Sequence, residues 1–101
     1  MTAIPPETEA QFQTRVVQLL ETTGHLVYHT HDSRRSAPGF PDLVAARPGS
    51  SALFLELKTD KGKVSTAQQE WIDILRCGPN SAHIVRPRDW DLIVRLATGA
   101  R

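Results

Sequence analysis

The apolar positions of this chain fall into short runs whose spacing changes from helical to strand-like and back. Phe12, Val16, Leu19 and Leu20 recur at helical spacing, with Thr8 placed to cap the helix and Gly24 to end it. Residues 25–30 read as a strand. Leu43-Val44-Ala45-Ala46 and Ala52-Leu53-Phe54-Leu55 read as two more, parted by the turn-forming Arg47-Pro48-Gly49-Ser50-Ser51. Ser65 or Thr66 opens a helix whose buried face is Trp71, Ile72, Ile74 and Leu75, and Cys77-Gly78-Pro79-Asn80 closes it. Residues 82–86 form a further strand. Asp89 then caps a last helix carrying Leu92, Ile93 and Leu96. The order α-β-β-β-α-β-α predicts an α/β domain, a mixed sheet flanked by helices. Residues 1–7, with Pro5-Pro6, read as a flexible arm, 8–97 as the single domain and 98–101 as a tail.

Three charges interrupt the apolar runs: Asp42 before the second strand, and Glu56 and Lys58 at the end of the third. A charge in a buried strand is costly unless something pairs with it or binds it. Glu56 and Lys58 are two residues apart, roughly 6.6 Å, and so share a face while Leu57 points the other way. If the two strands form a hairpin, Asp42 falls near both. Two carboxylates with an open side make a hard oxygen site suited to Mg²⁺ or Mn²⁺. A lysine beside it can hold or deprotonate a water, or stabilise charge on a phosphate.

Composition narrows the field. With 101 residues the chain is one small domain of ordinary apolar content. No run approaches the roughly 20 apolar residues of a membrane span. The start of the chain lacks the features of a signal peptide, and the single Cys77 allows no internal disulfide, which fits a reducing cytoplasm. Cys77 itself reads as a small buried apolar residue. Net charge is only +1, yet Arg34, Arg35, Lys58, Lys61 and Lys63 gather in sequence around the charged trio. A basic rim of this kind suits contact with phosphates. Ser33, Arg34, Arg35 and Ser36 form a candidate phosphate clamp just before Gly39, which permits a close backbone approach. His29 and His31 have no Cys or carboxylate partner at zinc-ligand spacing, so zinc is rejected.

Pro41-Asp42 followed by Glu56-Leu57-Lys58 resembles the signature of the PD-(D/E)XK nucleases. The wider text, Gly39-Phe40-Pro41-Asp42-Leu43-Val44, Glu56-Leu57-Lys58-Thr59, Gly62-Lys63, Ser65, Gln68 and Trp71, resembles the VRR-NUC branch of that superfamily. The resemblance runs from Glu9 to about Leu96 and implies a restriction-endonuclease-like core. It also implies that Asp42 and Glu56 hold Mg²⁺ or Mn²⁺, with the Leu57 carbonyl as an extra ligand, and that Lys58 serves the attacking water. Glu9 would reach in from the first helix and Gln68 from the second. The bland explanations are that Glu9 sits in a first turn where the helix dipole favours a carboxylate, and that Gln68 is a helix surface residue.

The leading expectation is thus a metal-dependent DNA endonuclease reading backbone shape, with Ser33, Arg34, Arg35, Ser36, Lys61 and Lys63 on the nucleic acid. Stand-alone relatives resemble Holliday junction resolvases, so branched DNA is the expected substrate. Cutting a two-fold junction needs two sites, hence a homodimer. The alternatives are a non-catalytic DNA-binding module or partner-dependent nuclease subunit, and a purely structural ion network.

Overall fold

Thr8 starts the first helix as its sequence predicts. Its side chain accepts the Gln11 N–H, and the Gln11 side chain accepts the Thr8 N–H in return, a reciprocal cap. The computed structural model, which describes residues 5–30 and 37–99, runs α1 (Glu9–Thr22), β1 (Leu26–His29), β2 (Leu43–Ala46) and β3 (Leu53–Leu57). It continues through α2 (Thr66–Arg76), β4 (Ser81–Val85), a short 3₁₀ turn (Pro87–Asp89) and α3 (Trp90–Thr98). The four strands form one sheet in the order β1-β2-β3-β4. The first three pair antiparallel in chain order, and β4 joins parallel to β3 after the α2 crossover. This is the mixed sheet flanked by helices that the apolar pattern predicts.

Alternation sorts the strands into two faces. One presents Leu43, Ala45, Leu53, Leu55, Leu57 and Val85 to Phe12, Val16 and Leu20 of α1 and to Ile93 and Ala97 of α3, forming one apolar core. The other presents Phe54, Glu56 and Ala82 towards α2, whose Ile72 is fully buried.

β3 runs on past its apolar stretch through Glu56 and Leu57, as the alternation argument requires. Three local expectations are corrected. Ile74 is 61% exposed, because at 100° per residue it stands about 200° around the helix from the buried Ile72. Cys77 is exposed; it follows the last turn of α2 and its thiol lies 3.3 Å from the Asp73 carbonyl. Asp89 makes no side-chain cap to α3. Its carboxylate accepts the Arg86 N–H at 2.9 Å and so closes the start of the 3₁₀ turn.

Candidate active site

Two neighbouring strands deliver the carboxylates. In the β2–β3 ladder Leu43 stands opposite Leu55 and Val44 opposite Phe54. One further step sets Asp42 opposite Glu56. On the far side of β3 Leu57 pairs with Val85, and one further step sets Lys58 beside Arg86, consistent with the Lys58 N–H donating to the Val85 carbonyl at 3.0 Å. By alternation Asp42, Glu56, Lys58 and Arg86 share the face that α2 partly covers.

Asp42 is fixed from several directions. Its carbonyl accepts the Thr30 N–H at 2.9 Å, while the Thr30 hydroxyl donates to the Pro41 carbonyl at 2.9 Å. Its carboxylate Oδ2 accepts the Leu57 N–H at 2.8 Å. The approach to Asp42 lies flat on α2. Gly39 has φ +81°, and a Cβ there would come within 2.4 Å of the Ala67 carbonyl carbon, so no other residue fits. Trp71 Nε1 donates to the Pro38 carbonyl at 3.1 Å, and the Phe40 ring stands edge-on to Trp71 with centroids 5.0 Å apart. The loop before Asp42 and the helix carrying Gln68 are therefore one unit.

Glu56 is the anomaly. It is 2% exposed. Oε1 lies 3.4 Å from Gln68 Nε2, a weak contact, and Oε2 is sealed from solvent with no hydrogen-bond partner among the described residues. Gln68 also caps its own helix, accepting the Ser65 N–H at 2.9 Å through Oε1, which leaves its amide nitrogen aimed at Glu56. Burial pushes the Glu56 carboxyl up to about 8; the Asp42 carboxylate adds to the shift, Lys58 opposes it, and Glu9 adds repulsion. A sealed acceptor opposite a second carboxylate is a place where a cation removes a standing cost.

The donor set fits a hard divalent ion. Mg²⁺ is commonly bound through one or two carboxylates while keeping several waters. Among the described residues no three His, Cys, Asp or Glu side chains converge as a metal-binding group. Glu9, exposed at the first position of α1, acts on Glu56 through its charge and completes no such trio. Asp42 and Glu56 are the two carboxylates that would hold such an ion, and the rest of its coordination sphere would fall to oxygens of backbone, water or substrate.

Lys58 is half-buried, while Lys61 and Lys63 are exposed on the segment joining β3 to α2. The predicted clamp residues Ser33, Arg34, Arg35 and Ser36, and also His31, lie outside the described residues. Reading the sequence missed Thr30, which pins the Pro41–Asp42 backbone, and gave Trp71 no more than an apolar role. Thr30 leaves no signal at that stage, because its partners are fixed only by the pairing of β1 with β2. Among the described residues no helix is long and apolar enough to cross a membrane.

Comparison with known proteins points the same way. The family model described as the VRR-NUC domain matches residues 5–86. A solved structure described as a VRR_NUC domain is 25% identical, with a TM-score of 0.69, covering 86% of this chain and 94% of that one. Another, described as a VRR_NUC domain protein, is 21% identical with a TM-score of 0.66, covering 91% and 86%. No curated protein matches.

Proposed function

The chain belongs to the VRR-NUC domain family, whose model spans residues 5–86, and from that footing we propose that it is a divalent-metal-dependent DNA endonuclease selective for branched structure. Membership implies a nuclease-type function with DNA as substrate, and nucleases of the PD-(D/E)XK superfamily generally use divalent metals. The observation that carries the finer reading is the buried, unpartnered Glu56 Oε2 across from Asp42.

In this reading Asp42 and Glu56 hold Mg²⁺ or Mn²⁺, with the Leu57 carbonyl as a further oxygen, and Glu9 acts on the site through its charge. The bound ion supplies Lewis acidity towards the scissile phosphate and the leaving oxygen. Lys58 orients the attacking water and its positive charge offsets the negative charge that develops there, since its ammonium shares the face of both carboxylates. Gln68 Nε2 steadies Glu56, 3.4 Å away. Lys61 and Lys63, with Ser33, Arg34, Arg35 and Ser36 before the site, hold the phosphate backbone. The four strands carry no element shaped to read base edges, so selectivity falls to backbone geometry. One chain of 101 residues has one such site, so symmetric cleavage of a junction takes a homodimer.

The test is cleavage of labelled single strand, duplex, flap and four-way junction with Mg²⁺ or Mn²⁺, comparing the wild type with Lys58→Ala. Metal-dependent cutting is expected to fall by about 100-fold or more in the variant, the usual size of a lost group that stabilises developing charge. Paired symmetric nicks on the junction, with a dimer in sedimentation, would establish a resolvase. Tight metal-independent binding with no cutting would make the protein a DNA-binding module.

A further inference from the structure

The 3₁₀ turn between β4 and α3 grips the segment that follows Lys58. From the single nitrogen Nη1, Arg86 donates to the Thr59 carbonyl at 2.6 Å and to the Gly62 carbonyl at 2.8 Å. Arg88 N–H adds a bond to Asp60 Oδ1 at 3.3 Å. Arg86 is itself anchored, because its N–H is taken by Asp89 Oδ2 at 2.9 Å. Among the described residues the ion pair formed is Glu7–Arg15, so the Arg86 cation is spent on carbonyl dipoles and meets no carboxylate. Charge-assisted bonds of this length are the stronger kind.

The gripped segment touches Lys58. A methyl group on Gly62 would come 3.4 Å from Lys58 Cδ and 3.1 Å from Thr59 Oγ1, so the lysine stem runs directly past Gly62. The Lys58 backbone is fixed on the same side, by its bond to the Val85 carbonyl. The next residue after Val85 is Arg86. One short stretch of β4 therefore holds both ends of the problem: the main chain of Lys58 and the surface its side chain lies along.

We infer that Arg86 is a positioning residue for Lys58, setting the lysine stem by clamping the 59–62 turn through the Thr59 and Gly62 carbonyls. The inference rests on the nuclease reading above. Arg86 acts through the Thr59 and Gly62 carbonyls. Its effect is geometric, and displacement of a reacting group by about 1 Å can cost up to about 100-fold in rate.

The experiment measures kcat and KM for DNA cleavage by the full chain, wild type, Arg86→Ala, Arg86→Lys and Lys58→Ala, with amide hydrogen exchange on each at a temperature where all are folded. Arg86→Ala is expected to lower kcat by about 10- to 100-fold, leave KM within about two-fold, and speed exchange at residues 59–63 while the β2 and β3 amides stay protected. Arg86→Lys should restore most of the kcat, because every contact comes from one nitrogen and an ammonium can reach both carbonyls. If Arg86→Ala is folded and cuts at the wild-type rate, or if its exchange rises evenly through the sheet, the inference is overturned and the nuclease reading stands. The same follows if Arg86→Lys is folded and fails to recover. If the wild type cuts nothing, both readings fall.

Discussion

The two faces of one sheet are built from alternate residues of the same strands and serve opposite ends. On one, Leu43, Ala45, Leu53, Leu55, Leu57 and Val85 close against α1 and α3 with no polar group in the cluster. On the other, the residues between them include Asp42, Glu56 and Lys58. There α2 covers β3 and β4 and leaves β1 bare, with Leu26 82% and Tyr28 65% exposed. A face that is sealed and apolar stabilises the fold through area removed from water. A face that is half covered and charged cannot contribute in that way. In this small domain the first has to hold the second in place.

The largest effect expected from breaking this division is on the sealed face. Leu55 is fully buried between the helices and β2. Leu55→Ala should cost about 2–5 kcal/mol in urea unfolding, the transfer loss plus the cavity left behind. A cost below about 1 kcal/mol would mean that the core collapses around the gap, and that the sealed face is less rigid than its packing implies.

The next effect belongs to Glu56, and its sign is opposite to that of an ordinary carboxylate. Its folded-state value, about 8, lies above the ordinary 4.5, so its proton favours the folded chain. That contribution is complete below about pH 4.5 and is lost as pH rises to about 8. Across this window the metal-free protein should lose stability on the order of a few kcal/mol, at most about 1.4 kcal/mol per pH unit. His83 acts the other way on the acid side: burial and the nearby Arg76 hold its pKa down, so its contribution is lost as pH falls below 6.5. Glu56→Gln isolates the carboxylate. Chelated wild type and variant should agree near pH 4.5 and separate progressively up to about pH 8, the wild type falling. Parallel curves would show that Glu56 titrates in the ordinary range and that the site face is wetter than its burial indicates.

Asp42→Asn sharpens the same point with a smaller expected effect. An amide oxygen can still accept the Leu57 N–H, which the wild-type carboxylate holds at 2.8 Å. The second negative charge opposite Glu56 is gone. Net stability at neutral pH should change by about 1 kcal/mol or less. The alkaline fall should move to lower pH and still lie above 4.5, because burial is the larger cause of the Glu56 shift. A fall that stays where it was would mean the two carboxylates do not interact.

Much of this contrast is legible in the sequence, and the limit is where contacts become tertiary. Alternation gives away Asp42, Glu56 and Lys58, because period two fixes a shared face before any fold is known. Thr8 is legible as a cap, whereas the choice between Ser65 and Thr66 is made only by the fold, where Ser65 accepts the Gln68 N–H. Ile74 escapes because α2 covers only part of a sheet, so its apolar stripe is narrower than its apolar composition. Arg86 escapes altogether. Its partners are 24 and 27 residues away and are backbone carbonyls, which leave no mark in side-chain pattern.

The smallest effect should come from the Glu7–Arg15 ion pair, which stands away from the site face. Arg15 grips Glu7 with two bonds, 2.6 and 2.8 Å, and lays its guanidinium 4.2 Å from the centre of the Trp90 ring. The pair ties the end of the proline-containing arm to α1 and the start of α3. Arg15 holds the Glu7 carboxyl below the usual carboxylate range, so any contribution is present above pH 4.5 and is lost as acid protonates it. The geometry is bidentate, yet both side chains remain in contact with water, 41% and 24% exposed, and solvent screens the attraction. Glu7→Gln should therefore cost about 1 kcal/mol or less, and less again in high salt. Arg15→Ala should cost more than Glu7→Gln, because it also removes the cation from the Trp90 ring. A Glu7→Gln loss as large as that of Leu55→Ala would show that the arm is part of the core. It would also place a charged pair among the determinants of the fold, a role that on the present structure the sealed face fills with apolar side chains alone.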